Sequence, residues 1–211
     1  MSDFDTATAR RWVALAAERV HAERDALTAL DAAIGDGDHG ANLDRGFTAA
    51  QAALDEGDAT TPGAVLGLVG RTMISKVGGA SGPLYGTLFR VAGKTLADAE
   101  TADGAALLEA LRGGLAGITR LGKAQPGEKT LVDALTPALD ALGAALDEGS
   151  ALPDAARRAA AAAREGAEAT VAMEAHKGRA SYLGPRSVGT ADPGATSSAL
   201  VVEALADALA G

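Results

Sequence analysis

The sequence predicts an all-α fold, and three observations support that expectation. Hydrophobic residues make up 47% of the 211 residues but aromatic residues only 3%. The core must therefore be built from alanine, leucine and valine, which suits closely packed helices better than a sheet. Apolar residues recur at helical spacing along most of the chain, and no segment shows the sustained alternation of a half-buried strand. We expect one helical domain covering residues 1–211.

The helical pattern divides into nine segments. The first four are marked by their apolar residues: Trp12, Leu15, Ala16 and Val20; Leu27 and Leu30; Leu43, Phe47, Ala50 and Leu54; and Val65, Leu68, Val69, Thr72 and Met73. The other five cover residues 84–98, 105–121, 131–147, 154–173 and 196–209. Pro62 and Pro153 stand where helix starts tolerate proline, and Asp103 is a plausible N-cap. Gly57 and Gly149 close helices, as glycine commonly does.

Composition excludes several classes of function. The net charge of -9 argues against non-specific nucleic-acid binding, which depends on basic residues that neutralise phosphates, and against anionic membranes. The chain has no cysteine, which excludes disulfides, zinc–thiolate sites and thiol nucleophiles and favours a reducing cytoplasm. Residues 1–11 lack the apolar core of a signal peptide, and no run of about 18 apolar residues exists. We expect a cytoplasmic protein that binds neither nucleic acid nor membrane.

Four glycine-rich polar segments interrupt the helical pattern. Glycine permits positive φ and a close approach of the backbone to a ligand. Two to eight residues suffice to join antiparallel helices, so connections this elaborate are not needed for that purpose. The segments cover residues 31–42, 78–87, 122–130 and 177–196. They predict a binding site at one end of the bundle.

The first of these segments carries three aspartates, Asp31, Asp36 and Asp38. Carboxylates held so close together repel one another unless cations neutralise them. Hard oxygen ligands favour magnesium or calcium over zinc, and the spacing does not fit a calcium-binding loop, so magnesium fits better. The alternative is a solvated acidic turn. His39 could cap a helix, contact a nucleotide or act as a ligand or catalyst, and Asn42 could donate to a phosphate.

Longer motifs identify a resemblance to a known family. The chain contains, in order, LDAAIGDGDHGANLDRGF, VGGASGPLYGTLF, GKAQPGEKTLVDAL and KGRASYLGPRSVGTADPGATS. In order and spacing these motifs resemble the L subunit of the dihydroxyacetone kinases, from about Trp12 to the C-terminus. That resemblance implies an eight-helix antiparallel barrel that binds a nucleotide through the interhelical loops at one end.

The resemblance also implies roles for individual residues. Asp31, Asp36 and Asp38 would hold two magnesium ions that bridge the nucleotide phosphates. The residues that would contact the nucleotide are His39, Gly40, Ala41, Asn42, Ala80, Ser81, Gly122, Leu131, Arg179, Asp192, Pro193 and Gly194. Simpler roles remain open for three of them: Ser81 could only cap a helix, Leu131 could be a core residue and Arg179 a surface arginine.

The implied activity requires partners, because the sequence offers no convincing general base. In the family, a K subunit holds dihydroxyacetone covalently on a histidine and receives the terminal phosphoryl group of the nucleotide. The chain length and the GDGDHGANLDRG motif resemble the branch in which a phosphohistidine on an M subunit of the phosphotransferase system rephosphorylates bound ADP in place. Three alternatives remain: an ATP-dependent triose or tetrulose kinase that exchanges its nucleotide, a nucleotide-sensing module that acts on a transcription factor, and a purely structural helical domain.

Overall fold

The computed structural model describes residues 3–211, and most of them are helical. Two short strands, β1 (Phe4–Asp5) and β2 (Thr101–Ala102), pair antiparallel. The α-helices of the described residues are α1 (Thr6–Ala22), α2 (Arg24–Ile34), α3 (His39–Glu56), α4 (Pro62–Lys76), α5 (Ser81–Leu96), α6 (Gly104–Gly122), α7 (Val132–Asp147), α8 (Leu152–Ala169) and α9 (Pro193–Ala210). Two 3-10 helices, Thr170–Ala172 and Arg179–Ser187, lie between α8 and α9. The all-α prediction is confirmed.

Eight of these helices close into a ring. Helix α1 packs on α3, α3 packs on α4, and each later helix packs on the next until α9 returns to α1. Helix α2 stands outside this ring and lies against α3 and α9. The eight-helix barrel expected from the sequence is therefore present, with α2 as an addition at the end where the glycine-rich segments meet. Within residues 3–211, no helix combines the length and the apolar character that crossing a membrane requires.

The connections from α2 to α9 alternate between the two ends of the ring. Those between α2 and α3, α4 and α5, α6 and α7, and α8 and α9 line one common cleft. Those between α3 and α4 and between α5 and α6 lie at the opposite end, where Gly63 comes close to the Ala97 carbonyl oxygen. Neighbouring helices from α3 to α9 are therefore antiparallel, and the four glycine-rich segments meet at one end as the sequence predicts.

Aromatic side chains fill the centre of the ring despite their small number. The ring centroids of Trp12 and Phe89 lie 5.3 Å apart, and those of Phe89 and Phe47 lie 6.1 Å apart. The indole N–H of Trp12 donates to the carbonyl oxygen of Val201 over 2.8 Å, which joins α1 to α9. Around this centre the core consists mainly of alanine, leucine and valine, as the composition requires.

Three boundaries of the last five predicted segments differ from the sequence expectation by three or more residues. Helix α9 begins at Pro193 and not at residue 196, because the Asp192 carboxylate accepts the Ala195 N–H (2.7 Å) and caps the helix. Helix α5 likewise begins at Ser81, three residues before the predicted start. Helix α8 ends at Ala169, and the last predicted residues form a 3-10 turn. Both early starts bring a helix N-terminus to the end that carries the glycine-rich segments.

Candidate functional site

Three aspartates converge at this end of the ring. Asp31 lies in the last turn of α2, and Asp36 and Asp38 lie in the connection to α3; one carboxylate oxygen from each lies within 4.8 Å of the others. Asp31 is nearly buried, while Asp36 and Asp38 are exposed. The Asp31 Oδ2 atom accepts the backbone N–H groups of Asp38 (2.8 Å) and His39 (3.1 Å). This set of oxygen donors fits a magnesium ion, which would relieve the repulsion between the carboxylates.

Helices α2 and α3 touch through backbone atoms beside the aspartates. A Cβ atom on Gly40 would lie 2.0 Å from the Arg24 carbonyl oxygen and 2.9 Å from the Thr28 backbone nitrogen. Only glycine permits this approach without moving backbone. In the connection, Gly37 has a φ of +74°, in the left-handed region that favours glycine. The position of Asp31 relative to Asp38 therefore depends on two glycines.

Arg179 reaches the aspartates from the connection between α8 and α9. Its Nε atom donates to the Asp36 Oδ2 atom over 2.9 Å. Both side chains are partly exposed, so the ion pair alone contributes little stability. The ion pair matters because it places a positively charged guanidinium beside the carboxylates, in a chain whose net charge is -9.

A buried hydrogen-bond network fixes the first residue of α3. The His39 ring lies between two hydroxyls, with Nδ1 at 3.0 Å from Ser81 Oγ and Nε2 at 2.8 Å from Ser197 Oγ. The Tyr85 hydroxyl completes the network at 2.7 Å from Ser197 Oγ and 2.9 Å from Ser198 Oγ. The network therefore joins the starts of α3, α5 and α9.

This network is uncharged near neutral pH. Burial lowers the pKa of His39 below its ordinary value, although the carboxylates of Asp31 and Asp38 act in the opposite direction. Burial raises the pKa of Tyr85 to about 12. Because both ring nitrogens of His39 are hydrogen-bonded to serine hydroxyls, its geometry suits the positioning of Ser81 better than proton transfer.

Asp192 is buried where α9 begins. Burial raises the pKa of its carboxyl to about 7, although the backbone N–H of Ala195 and the ammonium of Lys129 act in the opposite direction. Lys129 is itself buried, at 1% exposure. Burial lowers the pKa of Lys129, against the opposing effect of Asp192. Two buried ionisable groups therefore lie near each other where the connections before α7 and before α9 meet.

The four connections enclose a cleft of about 420 Å³, within the usual range of roughly 300–1,000 Å³ for small-molecule sites. Its two sides differ in character. The aspartates, Ser81 and Arg179 form the polar side. The apolar side contains Leu84, Ile118, Leu121, Ala124 and Leu131. Leu121 is 53% exposed, so an apolar ligand group in this part of the cleft would remove it from water.

Four helices begin at the cleft: α3 at His39, α5 at Ser81, α7 at Val132 and α9 at Pro193. The first turn of a helix has backbone N–H groups without intrahelical partners and carries a partial positive charge. Helix N-termini are therefore common anion sites. Together with Arg179 and bound cations, they would provide the positive charge that the acidic composition lacks.

The structure brings most of the predicted site residues to this cleft. Those that line it are Asp31, Asp36, Asp38, His39, Ala80, Ser81, Gly122, Leu131, Arg179, Asp192, Pro193 and Gly194. Gly40, Ala41 and Asn42 do not. Gly40 packs on α2, Ala41 is exposed, and the buried Asn42 accepts a hydrogen bond from Arg45 over 2.6 Å.

Comparison with known proteins assigns the family. The model of the DAK2 domain matches residues 33–207. The chain belongs to the DAK2 domain family. The matched region runs from the end of α2 into α9, so it includes all four connections that form the cleft of this DAK2 domain.

Curated relatives and a solved structure show the same likeness. The DAK2 domain is 43% identical over 202 residues to the PEP-dependent dihydroxyacetone kinase 1, ADP-binding subunit DhaL of Listeria innocua, covering 96% of each chain. It is 44% identical to the L-erythrulose 1-kinase of Mycolicibacterium smegmatis, covering 91% of this chain and 34% of the relative. The crystal structure of the dihydroxyacetone kinase from C. freundii in complex with AMP-PNP and Mg²⁺ superposes with a TM-score of 0.74 at 30% identity. That alignment covers 97% of the DAK2 domain but 34% of the solved chain, about a third of its length.

Sequence reasoning missed the residues that hold the cleft of the DAK2 domain in shape. Tyr85, Ser197 and Ser198 lie in helices that otherwise present apolar residues to the core. The sequence does contain one signal for them, because a polar residue on an otherwise apolar helix face indicates a buried hydrogen bond. Asp133 accepts the N–H groups of Gly127 and Thr130 and so orders the connection before α7. Lys129 gave no signal, because a lysine in a glycine-rich loop reads as a surface residue.

Proposed function

We propose that this DAK2 domain carries an adenine nucleotide, held through two magnesium ions by Asp31, Asp36 and Asp38, as the nucleotide-carrying subunit of a dihydroxyacetone kinase. The observation that carries the proposal is the convergence of the three carboxylates at one side of a cleft whose other side is apolar. A nucleotide has the same two-part character, with charged phosphates and a flat, largely apolar base. The ADP-binding relative and the AMP-PNP complex of C. freundii support the same proposal.

The chain's own groups have distinct tasks in this proposal. The first turns of α3 and α5 offer backbone N–H groups to phosphate oxygens, whereas at the start of α9 the Asp192 carboxylate already accepts the Ala195 N–H. Arg179, which belongs to the connection between α8 and α9, adds a positive charge beside the aspartates. Gly122 and Leu131 lie on the adenosine side of the cleft, where they exclude water from the base. The sequence resemblance implies phosphate contacts for Gly40, Ala41, Asn42 and Ala80, and a further nucleotide contact for the loop that contains Asp192 and Gly194.

The chemistry expected of this site is phosphoryl transfer, which depends mainly on positioning and charge neutralisation. Bound magnesium would neutralise the phosphates. His39 is the one histidine lining the cleft in residues 3–211, and both of its ring nitrogens are engaged. A base and a substrate carrier must therefore come from elsewhere. We assign both to a K subunit that holds dihydroxyacetone on a histidine and receives the terminal phosphoryl group.

A second partner would restore the nucleotide. In this proposal a phosphohistidine on an M subunit of the phosphotransferase system returns a phosphoryl group to ADP in place, and the protein acts in the cytoplasm. The likeness to the PEP-dependent subunit supports this branch. The equally strong identity to an L-erythrulose 1-kinase supports a second candidate, in which ATP and ADP exchange at each turnover and the sugar is a tetrulose.

Nucleotide retention separates the two candidates. We would purify the protein without added nucleotide, denature it, and measure adenine nucleotide and magnesium in the supernatant. About one ADP per chain that resists dialysis supports the phosphotransferase-fed branch. An empty chain that binds ATP with magnesium reversibly supports the exchanging kinase. A chain that binds neither ADP nor ATP in the presence of magnesium would refute the nucleotide-carrying function.

The Asp36→Asn/Asp38→Asn variant is the control for this measurement. It removes two carboxylates from the exposed side of the cluster and leaves Asp31, which holds the connection between α2 and α3, in place. We expect it to fold normally and to lose nucleotide. Nucleotide retained by this variant would mean that the aspartates do not hold it.

A further inference from the structure

Lys129 is a lysine buried in a loop. Its exposure is 1%, and its φ of +60° lies in the left-handed region, which residues other than glycine seldom adopt. A buried ammonium is unfavourable unless its donors are satisfied. Across residues 3–211, Lys129 has no carboxylate within ion-pair distance. An uncommon backbone conformation and a buried charge at one position call for a specific explanation.

The ammonium of Lys129 is satisfied by three backbone carbonyl oxygens. Its Nζ atom donates to Thr170 (2.6 Å), Thr190 (2.5 Å) and Met173 (3.2 Å). An ammonium has three donors, so every one is used. None of the acceptors lies on the loop that carries Lys129; all three belong to the connection between α8 and α9, residues 170–192.

These carbonyls come from both ends of the α8–α9 connection. Thr170 and Met173 lie where the connection leaves α8, and Thr190 lies two residues before the cap of α9. Lys129 therefore draws the two ends together. The Asp192 N–H, which donates to Thr170 Oγ1 over 2.8 Å, closes the same gap.

The neighbouring residue adds weaker contacts to the same connection. The Glu128 carbonyl oxygen accepts the His176 N–H over 3.2 Å, and the Glu128 carboxylate lies 3.6 Å from the Lys177 ammonium. The latter pair is partly exposed and is worth little on its own. Lys129 is thus the buried centre of the contact between two of the four connections that form the cleft.

We propose that Lys129 is a positioning residue for nucleotide binding, because its ammonium holds closed the connection that places Arg179 and Asp192 at the cleft. The inference rests on the proposed nucleotide-carrying function and deepens it. Lys129 lines the cleft, but carbonyl oxygens use all three of its donors, so it acts through the loop it holds. Without the ammonium, three buried carbonyls lose their donor and the connection opens locally, while the ring of helices stays closed.

The test is a double-mutant cycle that compares Lys129→Met with a control of similar destabilisation elsewhere. Methionine keeps the apolar stem and removes the donors. Leu54→Ala empties a fully buried position on α3 that does not line the cleft. Each is combined with Arg179→Ala, which is also made alone, and the affinity for ADP with magnesium is measured by calorimetry at a temperature at which all five variants are folded.

We expect Lys129→Met to weaken binding by roughly 10- to 100-fold, as is typical for residues that orient a binding group. Arg179→Ala should then weaken binding little further in the Lys129→Met chain, because Arg179 is already misplaced. In the Leu54→Ala chain the effect of Arg179→Ala should equal its effect in the wild type. Wild-type affinity of Lys129→Met, or additivity in both backgrounds, would overturn the proposal.

Tryptic cleavage provides a second test of the role of Lys129, and this test needs no nucleotide. Lys177, Arg179 and Arg186 are cleavage sites within the α8–α9 connection. We expect cleavage there to be at least about 10-fold faster in Lys129→Met than in the wild type or in Leu54→Ala. An unchanged rate overturns the positioning role even if the wild type binds no nucleotide, which would be a separate failure of the proposed function. If Lys129→Met does not fold, Lys129→Arg carries the same test, since a planar guanidinium cannot satisfy the same three carbonyls.

Discussion

Gly40 offers a direct test of how the aspartate cluster is assembled. A methyl group in Gly40→Ala would lie 2.0 Å from the Arg24 carbonyl oxygen, whereas real Cβ contacts essentially never come closer than 3.0 Å. A second backbone atom, the Thr28 nitrogen at 2.9 Å, is also rigid. Helices α2 and α3 must therefore move apart by about 1 Å, because close-packed backbone cannot absorb the methyl group otherwise.

That displacement has a cost in stability and a larger cost in binding. Overpacking of this kind destabilises by about 1–3 kcal/mol, and the upper end applies here because the obstacle is backbone. For a chain of this length, the melting temperature should fall by roughly 5–10 °C. Asp31 moves with α2 and Asp38 with α3. Magnesium demands near-ideal geometry at about 2.0–2.1 Å, and a misplacement of about 1 Å costs on the order of 100-fold in an active site.

The assay combines thermal unfolding with calorimetric titration of ADP in the presence of magnesium. Gly67→Ala is the matched control. It lies inside α4, and its methyl group meets only the flexible end of Arg71, at 3.5 Å. We expect it to gain about 0.5–1 kcal/mol and to bind nucleotide as the wild type does. A Gly40→Ala chain with the wild-type melting temperature and affinity would refute the account of the α2–α3 contact.

Three further substitutions test other parts of the cleft. Asp36→Asn removes an exposed carboxylate, so the free energy of unfolding without ligand should change by less than about 1 kcal/mol. The thermal stabilisation of the protein by ADP and magnesium should disappear in this variant. Ser197→Ala breaks the buried network between His39 and Tyr85 and should cost about 1–3 kcal/mol in urea unfolding. The pKa of Asp192 is raised to about 7 in the folded protein, from about 4 when unfolded. Its contribution to stability is therefore greatest below about pH 4 and is lost as the pH rises to 7. Asp192→Asn should remove that loss, so its stability relative to the wild type should be higher at pH 8 than at pH 5, by about 2.5 kcal/mol.

A different result would contradict each of these three predictions. Asp36→Asn stabilised by ADP and magnesium as strongly as the wild type would exclude Asp36 from the metal site. Unchanged stability of Ser197→Ala would mean that water replaces the hydroxyl without cost. A stability difference for Asp192→Asn that stays constant between pH 5 and pH 8 would contradict the raised pKa.

The sequence predicts best those parts of the site that are local in the chain. Asp31, Asp36 and Asp38 fall within eight residues, so their mutual repulsion, together with the other three glycine-rich segments, predicts a cation site. The all-α fold follows from apolar periodicity and from the near absence of aromatic residues, whereas the eight-helix barrel is implied only by the family resemblance. The sequence predicts the starts of α5 and α9 too late. Ser81 and Pro193 begin these helices inside segments whose glycine content is typical of loops.

The rest depends on contacts between distant residues. His39 and Ser197 are 158 positions apart, and nothing near either residue shows that a hydroxyl will meet the ring. Lys129 reaches carbonyls that lie 41 to 61 positions away. Such groups become recognisable only when tertiary packing has removed them from water. Candidate metal ligands that are close together in the chain can therefore be found from sequence, whereas side chains that hold a loop in place require the structure.

The bond between Trp12 and Val201 spans 189 positions and belongs to the only tryptophan in the chain. Because α9 is both the last helix of the ring and the partner of α1, folding must bring together the two most distant parts of the polypeptide. Contacts of such long sequence separation form slowly. The fluorescence of one natural indole should therefore report the moment at which the barrel closes. Since α9 also starts at the cleft, that signal marks the time from which a newly synthesised chain can accept its ligand.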